Sequence, residues 1–411
     1  MAQLIDLWSA DSSKHGETHG QKSFFNTLLE DFKPDLLRGL YASDPGAATG
    51  YVQTATRDGH DLSGVMNFLC WADPFNPDLF EQAFVRSIEA GNANAVFHAL
   101  KAVVSRPEEV GQPLATRVFV ESVEYLNGSG HYGWIRPVSI WGRPKGLLKS
   151  LDEDAAARLL RVIGILPKIG ISVEEVLTEL ARRFPQQVIE LFGQRLAHEP
   201  REEGDTFEAI PFDFHRLHEA MSGHAVFAVD RAIEWSGNDG LLVESRSARL
   251  IAIMFPERSD EIERKLIELV QSGDRKRQEF VVSVMRNLKG RPIVYAVMRE
   301  LVAALPFGDQ LSGAVDIALS ERGVLHGEFG YRDALVDQKA AMESWRDDER
   351  QAVRAFAGDA IRTLDNQIAA AQRSAEEDIA MRRLRYGELI VTIPEPRAPS
   401  DGDEVEPVPR P

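Results

Sequence analysis

A single cysteine, Cys70, stands in 411 residues, so no disulfide can form within the chain and a disulfide-framed scaffold is excluded. Its surroundings, VMNFLCWA, read as a buried apolar run, which makes Cys70 a small core side chain. Long apolar stretches are missing too: nothing reaches the roughly 18 residues that a membrane-spanning helix needs, and no membrane partner is expected. The opening MAQLIDLWSADSS lacks the basic start and apolar core of a secretory signal, so a cytoplasmic setting is the default expectation. Positive charge is in deficit, with 47 Lys and Arg against 64 Asp and Glu, and a net charge of −17 repels nucleic acid and anionic membranes. The phosphate loop G-x-x-x-x-G-K-[ST] and the nucleophile pattern G-x-S-x-G are absent.

What is there is helical. SLDEDAAARLLRVIGILP opens with Ser150 and Glu153 at capping-box spacing and stops at Pro167, and PQQVIELFGQRLAHE carries Pro185 at a first-turn position. Apolar residues recur at three and four through ISVEEVLTELARRF, SDEIERKLIELVQSG, DRKRQEFVVSVMRNLKG and RPIVYAVMRELVAAL, with Pro or Gly between most neighbours. No convincing run of strands interrupts them. Helices of this length joined by short turns predict an all-α chain of stacked helix pairs, an α-solenoid, although no fixed sequence period emerges. An all-α bundle is the alternative. In the first 150 residues LATRVFVESVEYLN fits helix or strand, and YVQTATRDGHDLSGVMNFLCWADPF resists assignment.

The most specific pattern lies in SWRDDERQAVRAFAGDAIRTL, from Trp345 to Leu364. Asp348 is placed to accept the free N–H groups of a helix start. Val353, Ala357, Ala360, Ile361, Leu364 and Ile368 then form one apolar stripe, in which the small Ala357 admits a close neighbour. Arg354, beside the stripe, can bond to carbonyls or acids of an adjacent repeat. This D-x-x-x-x-V-R-x-x-A arrangement resembles the second helix of a HEAT-type repeat, over about one repeat. More loosely, Trp345 through RSAEEDIAMRRLRYGE is similar to the C-terminal helical arrays of large bacterial regulatory and antiviral-defence proteins. The resemblance implies a HEAT-like α-solenoid and a scaffold's work, and it names no ligand.

The expected organisation has four parts. Residues 1–150 are a mostly helical N-terminal region with a Gly/Trp/Arg-rich loop at 127–150, and 151–346 are solenoid repeats. Residues 347–388 hold the last HEAT-like helix and a charged helical extension, thinning to Ala371, Ala375, Ile379 and Leu384. Residues 389–411 are a Pro- and acid-rich tail of disordered composition, with six prolines and five acids from Pro394 to Pro411.

Sequence and function are expected to meet in the loop. The 27 residues from Tyr125 to Leu151 carry no carboxylate, in a chain otherwise so acidic. His131, Tyr132, Trp134, Arg136, Trp141, Arg143 and Lys145 are the partner-binding candidates, because rings interleaved with Arg and Lys can stack on bases or hold carboxylates and phosphates. The bland alternative is an ordered loop whose tryptophans plug the array. Gly128, Gly130 and Gly133 spell a nominal G-x-G-x-x-G, but no strand signal precedes them and Pro137 follows, so a dinucleotide site is rejected. His215, His218 and His224 lie near Asp213 and Glu219 without the H-E-x-x-H spacing, and no cofactor or metal is expected.

The expected function is therefore a non-enzymatic protein-interaction scaffold or adaptor holding a protein partner, with nucleic acid possible only through 127–150. The alternative is the sensor part of a larger NTPase-based bacterial machine, reading a protein or nucleic-acid trigger. An enzyme built on the first 150 residues is a third class.

Overall fold

Six helices among the described residues begin behind a side chain that accepts the N–H three residues on: Asp44, Asn76, Asn92, Asp152, Ser259 and Asp274 cap at Ala47, Leu79, Ala95, Ala155, Ile262 and Arg277. Pro45, Pro77, Pro185 and Pro292 start helices where a missing N–H costs nothing. These local signals cut the chain into short helices, seen in a computed structural model that describes residues 35–139, 145–198, 206–238, 241–257, 259–306, 308–323 and 325–386. The fold is all-α, with no strand among the described residues. The expected tail, 389–411, lies outside them.

The chain divides into two units, one ending at Lys265 and the other starting at Leu266. In the first, α1 (residues 35–43) is followed by α2 (Pro45–Asp58), α3 (Leu62–Trp71), α4 (Pro77–Glu89), α5 (Ala93–Ser105), a single turn α6 (Pro107–Val110) and α7 (Gln112–Gly128). Then come α8 (Ile135–Val138), α9 (Lys145–Ser150), α10 (Glu153–Gly164), α11 (Ile171–Ala181), α12 (Pro185–Leu196), α13 (Leu217–Met221), α14 (Ala225–Asn238) and α15 (Leu241–Met254), while α16 (Asp260–Gln271) runs across the boundary. The stretch that resisted assignment is α2 and α3, and LATRVFVESVEYLN is the body of α7, a helix rather than a strand. The expected Ser150–Glu153 capping box does not form: Ser150 closes α9, bonding to the Leu147 carbonyl, and Asp152 caps α10 instead. Leu151 is fully buried, and α7 packs on α10 and α9 on α11, so residues either side of Leu151 share one unit.

Packing follows an alternating order. The row α3, α5, α7, α10, α12, α14 touches neighbour to neighbour, and α9, α11, α13, α15 do the same in a second row. Polar bonds link α4 to α7 and then successive members of the first row, at steps of 34 to 41 residues. Arg117 pairs with Glu81 across 36 residues, Arg158 Nε donates to Glu124 at 2.9 Å across 34, and Gln187 donates to Glu153 at 3.0 Å across 34. Arg231 donates to Glu190 at 3.0 Å across 41. The structure thus has a step that the sequence does not spell out.

Helix C-termini are closed in the same rhythm. Arg106, just past α5, donates to the carbonyls of Cys70 (2.9 Å) and Ala72 (3.3 Å) at the end of α3. Arg183, past α11, donates to Leu151 O (2.8 Å) and Lys149 O at the end of α9. Arg195 on α12 goes furthest: at 1% exposure it donates to Ile163, Gly164 and Leu166 carbonyls at 2.8 to 3.2 Å, to Ala209 O at 3.0 Å, and to Glu208 O. Burial lowers its pKa to about 10, which still leaves it charged at neutral pH. A cation fits these carbonyl ends, where the helix dipole is negative. Two residues earlier, a Cβ on Gly193 would overlap the Trp235 ring, so α12 and α14 meet at closest approach there.

The second unit has α17 (Arg275–Leu288), α18 (Pro292–Ala304), α19 (Leu311–Ser320), α20 (Gly330–Glu343) and the 36-residue α21 (Gln351–Tyr386). Val353, Ala357 and Ile361 are fully buried and Leu364 nearly so, while Ala360 and Ile368 are only half-buried; α21 packs on α18 and α20. The stripe does thin: Ala375 is the last buried residue and Leu384 is 78% exposed. Asp348 accepts the Arg350 backbone N–H at 2.8 Å, just ahead of α21, so it closes the turn before the helix rather than capping the helix's own first N–H groups. Arg354 bonds to the carbonyls of Asp348 and Glu349, in its own segment rather than an adjacent repeat. Asp348 is also the centre of a charge cluster: Arg299 Nε reaches it at 2.6 Å and Arg350 Nε at 2.9 Å, while Arg350 grips Glu300 with both terminal nitrogens. The Arg350 guanidinium, helped by the Arg350 backbone N–H and Arg299 and opposed by burial, holds the Asp348 carboxyl far below the usual carboxylate range.

Two expected outcomes follow from these centres. Arg195→Met leaves five carbonyls without their donor and should cost about 3 kcal/mol in urea unfolding, with Arg195→Lys in between; wild-type stability for Arg195→Met would show that water replaces the guanidinium. Asp348→Asn should cost about 2 kcal/mol at pH 7 by stripping a carboxylate from charged donors. Because the folded pKa is depressed, Asp348 stabilises above the unfolded value near about 4 and loses that contribution as pH falls below it. The gap between wild type and Asp348→Asn should therefore narrow between about pH 4 and 2, and a constant gap would refute the assignment.

Candidate functional site

Gly128 ends α7, Gly130 turns the chain at φ 76°, and Tyr132–Trp134 make one 3-10 turn that runs into α8. A helix, not a strand, precedes the glycines, so the backbone is unlike a dinucleotide loop. His131 is exposed with Nδ1 3.1 Å from Ser129 O, Tyr132 is 48% exposed, and Arg136 is exposed. Trp134, named as a partner-binding candidate, is instead placed as the plugging alternative would have it. Its side chain is 1% exposed, because the 3-10 turn directs the ring inward, and its Nε1 has no hydrogen-bond partner. Trp141 and Arg143 lie outside the described residues. Lys145 opens α9, and its side chain is likewise outside the description. The described geometry therefore brings His131, Tyr132, Trp134 and Arg136 into one short stretch, with three of the four on the surface.

The same segment closes a pocket that sequence reasoning missed. Pro137 of α8 meets α3 and α5 at a cavity of about 340 Å³. From α3 come Asn67, Cys70 and Trp71, at the three- and four-residue spacing that shares a helix face; from α5 come His98, Lys101, Ala102 and Ser105, at i, i+3, i+4 and i+7. The signal was visible only as two helical faces, because their partnership depends on α3 and α5 being neighbours in the row. Cys70 is 6% exposed and its thiol donates to the His98 carbonyl at 3.1 Å. Burial, partly offset by Lys101 and Arg106, pushes that thiol up to about 12. Burial, reinforced by the Lys101 charge, lowers the pKa of His98, whose ring is thus neutral at pH 7. Trp71 is 60% exposed, with the Arg38 guanidinium 5.9 Å from its ring centre. Among the described residues no carboxylate lines the cavity. Among the described residues no three His, Cys, Asp or Glu side chains are grouped as metal ligands.

No protein-family profile matches the chain, and no curated protein matches it in sequence. A crystal structure of an engineered protein matches at 14% identity over 82% of this chain and 95% of that one, with a TM-score of 0.21, too low to carry any argument.

A raised pKa and burial make Cys70 a poor nucleophile. Iodoacetamide at pH 8 should alkylate it at least about 100-fold more slowly in the folded chain than in urea; comparable rates would mean that the thiol is open to solvent.

Proposed function

We propose that the chain is a non-enzymatic protein-interaction scaffold, built from HEAT-like stacked helix pairs, that holds a protein partner on its surface. The observation that carries this reading is a set of exposed apolar side chains on immobilised backbone. Ile165, Ile171 and Phe212 are 67%, 62% and 84% exposed. They sit on two segments that Arg195 ties together through the Gly164, Leu166, Glu208 and Ala209 carbonyls, with Glu208 N–H also donating to Pro167 O at 2.7 Å. Arg249 holds the Pro211 and Phe212 carbonyls at 3.1 Å and lies 5.6 Å from the Phe212 ring centre. Apolar groups kept in water on a fixed frame suit a surface that another protein covers, since the ordering cost is met before association. The recurring inter-helix step supports the repeat reading, and the Asp348 to Ala357 packing supports the HEAT-like form. The exposed Tyr132 and Arg136 offer a second contact region.

The test is affinity capture from a native lysate with cross-linking mass spectrometry, using the wild-type chain and Ile171→Asp/Phe212→Asp. A partner held by the wild type should cross-link near 165–171 and 206–216 and fall about tenfold with the double variant, whose helical circular dichroism is unchanged. Equal capture by both chains would remove the proposed surface. A chain that holds only a foreign protein or nucleic acid would fit the sensor reading instead.

A further inference from the structure

We propose that the cavity between α3 and α5 is a binding site for a small organic acid with a planar apolar body, its carboxylate on Lys101 and its ring against Trp71. The Asn67 amide, the His98 ring and the Lys101 ammonium all line the cavity, and among the described residues none of the three has a hydrogen-bond or ion-pair partner. Lys101 has only the Phe97 ring, at 5.9 Å. Among the described residues it is also the sole charged residue of the lining, in a chain whose net charge is −17. A wall free of carboxylates makes this spot locally attractive to an anion, while the protein as a whole repels polyanions.

Geometry narrows the ligand further. One ammonium beside a neutral imidazole and an amide matches a single carboxylate; a phosphate would call for the planar fork of an arginine or a second cation. The α3 carbonyl end does not compete as an open acceptor, because Arg106 already bonds to Cys70 O and Ala72 O. The remaining walls, from Trp71, Ala102, Val104 and Pro137, are apolar and include one exposed ring for stacking. A volume of about 340 Å³ is at the low end for ligand sites and has room for one or two fused rings. The same chemistry could come from a free aryl carboxylate or from a peptide ending in an aromatic residue with a free carboxylate. Neither depends on the scaffold reading.

The experiment is calorimetric titration of the full chain with naphthalene-2-carboxylate and its uncharged carboxamide, on wild type, Lys101→Gln and Trp71→Ala. Both altered side chains are exposed, so the variants should keep the fold, and circular dichroism confirms it. The acid should bind wild type about tenfold tighter than the amide, Lys101→Gln should erase that difference, and Trp71→Ala should weaken both ligands alike. No binding of the acid at millimolar concentration, equal affinity for acid and amide, or indifference to Lys101→Gln would each overturn the proposal. In a competition arm, a tetrapeptide ending in Phe that displaces the naphthoate assigns the carboxylate to a protein terminus. A peptide that fails to displace it assigns the carboxylate to a free acid, and either result upholds the site.

Discussion

A helix of 10 to 13 residues, such as α3, α5 or α10, leaves four carbonyls at its C-terminus without intrahelical donors, so ends make up a large share of each element. In the residues up to Lys265 those ends are met by arginines set one helix further along a row. Arg106, Arg183 and Arg195 each place a guanidinium on carbonyls about 30 to 36 residues earlier. Each bond does two things at once. It satisfies an end that burial would otherwise make costly, and it fixes how far the later helix slides along the earlier one. Arg195 is the extreme case: a buried cation is tolerable only when every donor is used, and here it is surrounded by carbonyl oxygens and the Phe207 ring, 4.5 Å away. The positions of the 163–167 turn and the 206–212 segment, and of the apolar residues they display, follow from it.

The second unit solves its own joint with the opposite sign. Asp348, 5% exposed, draws Arg299 from α18 and Arg350 from the start of α21, and Arg350 passes the connection on to Glu300. A buried carboxylate held by two guanidinium groups sets the angle at which the long helix leaves, after which the Val353, Ala357 and Ile361 stripe zips along its neighbours.

Much of this was legible in the sequence, and the limits have physical causes. Helix existence was clear wherever apolar residues recur at three and four, and the burial of Val353, Ala357, Ile361 and Leu364 follows that stripe closely. The inter-helix step was hidden because half of each arginine bond is a backbone carbonyl, which every residue supplies and no residue type announces. Trp134 was misplaced for a related reason: Gly and Arg neighbours suggested exposure, but around glycines no periodicity tells which way a ring points. The cavity at Asn67, His98 and Lys101 was out of reach because its two faces are each ordinary and are joined only by row packing.

The step of about 35 residues also bears on the order in which the chain can acquire its structure. Bonds such as Glu81 to Arg117, Glu124 to Arg158 and Glu153 to Gln187 close small loops of nearly equal length, so each helix docks on a neighbour already made rather than waiting for a distant segment. In the residues up to Lys265 these contacts are short-range in sequence, so the loop-closure cost is met in small steps. Assembly can then proceed from the N-terminal end as the polypeptide is synthesised, with no more than about one helix pair of apolar surface left uncovered at a time.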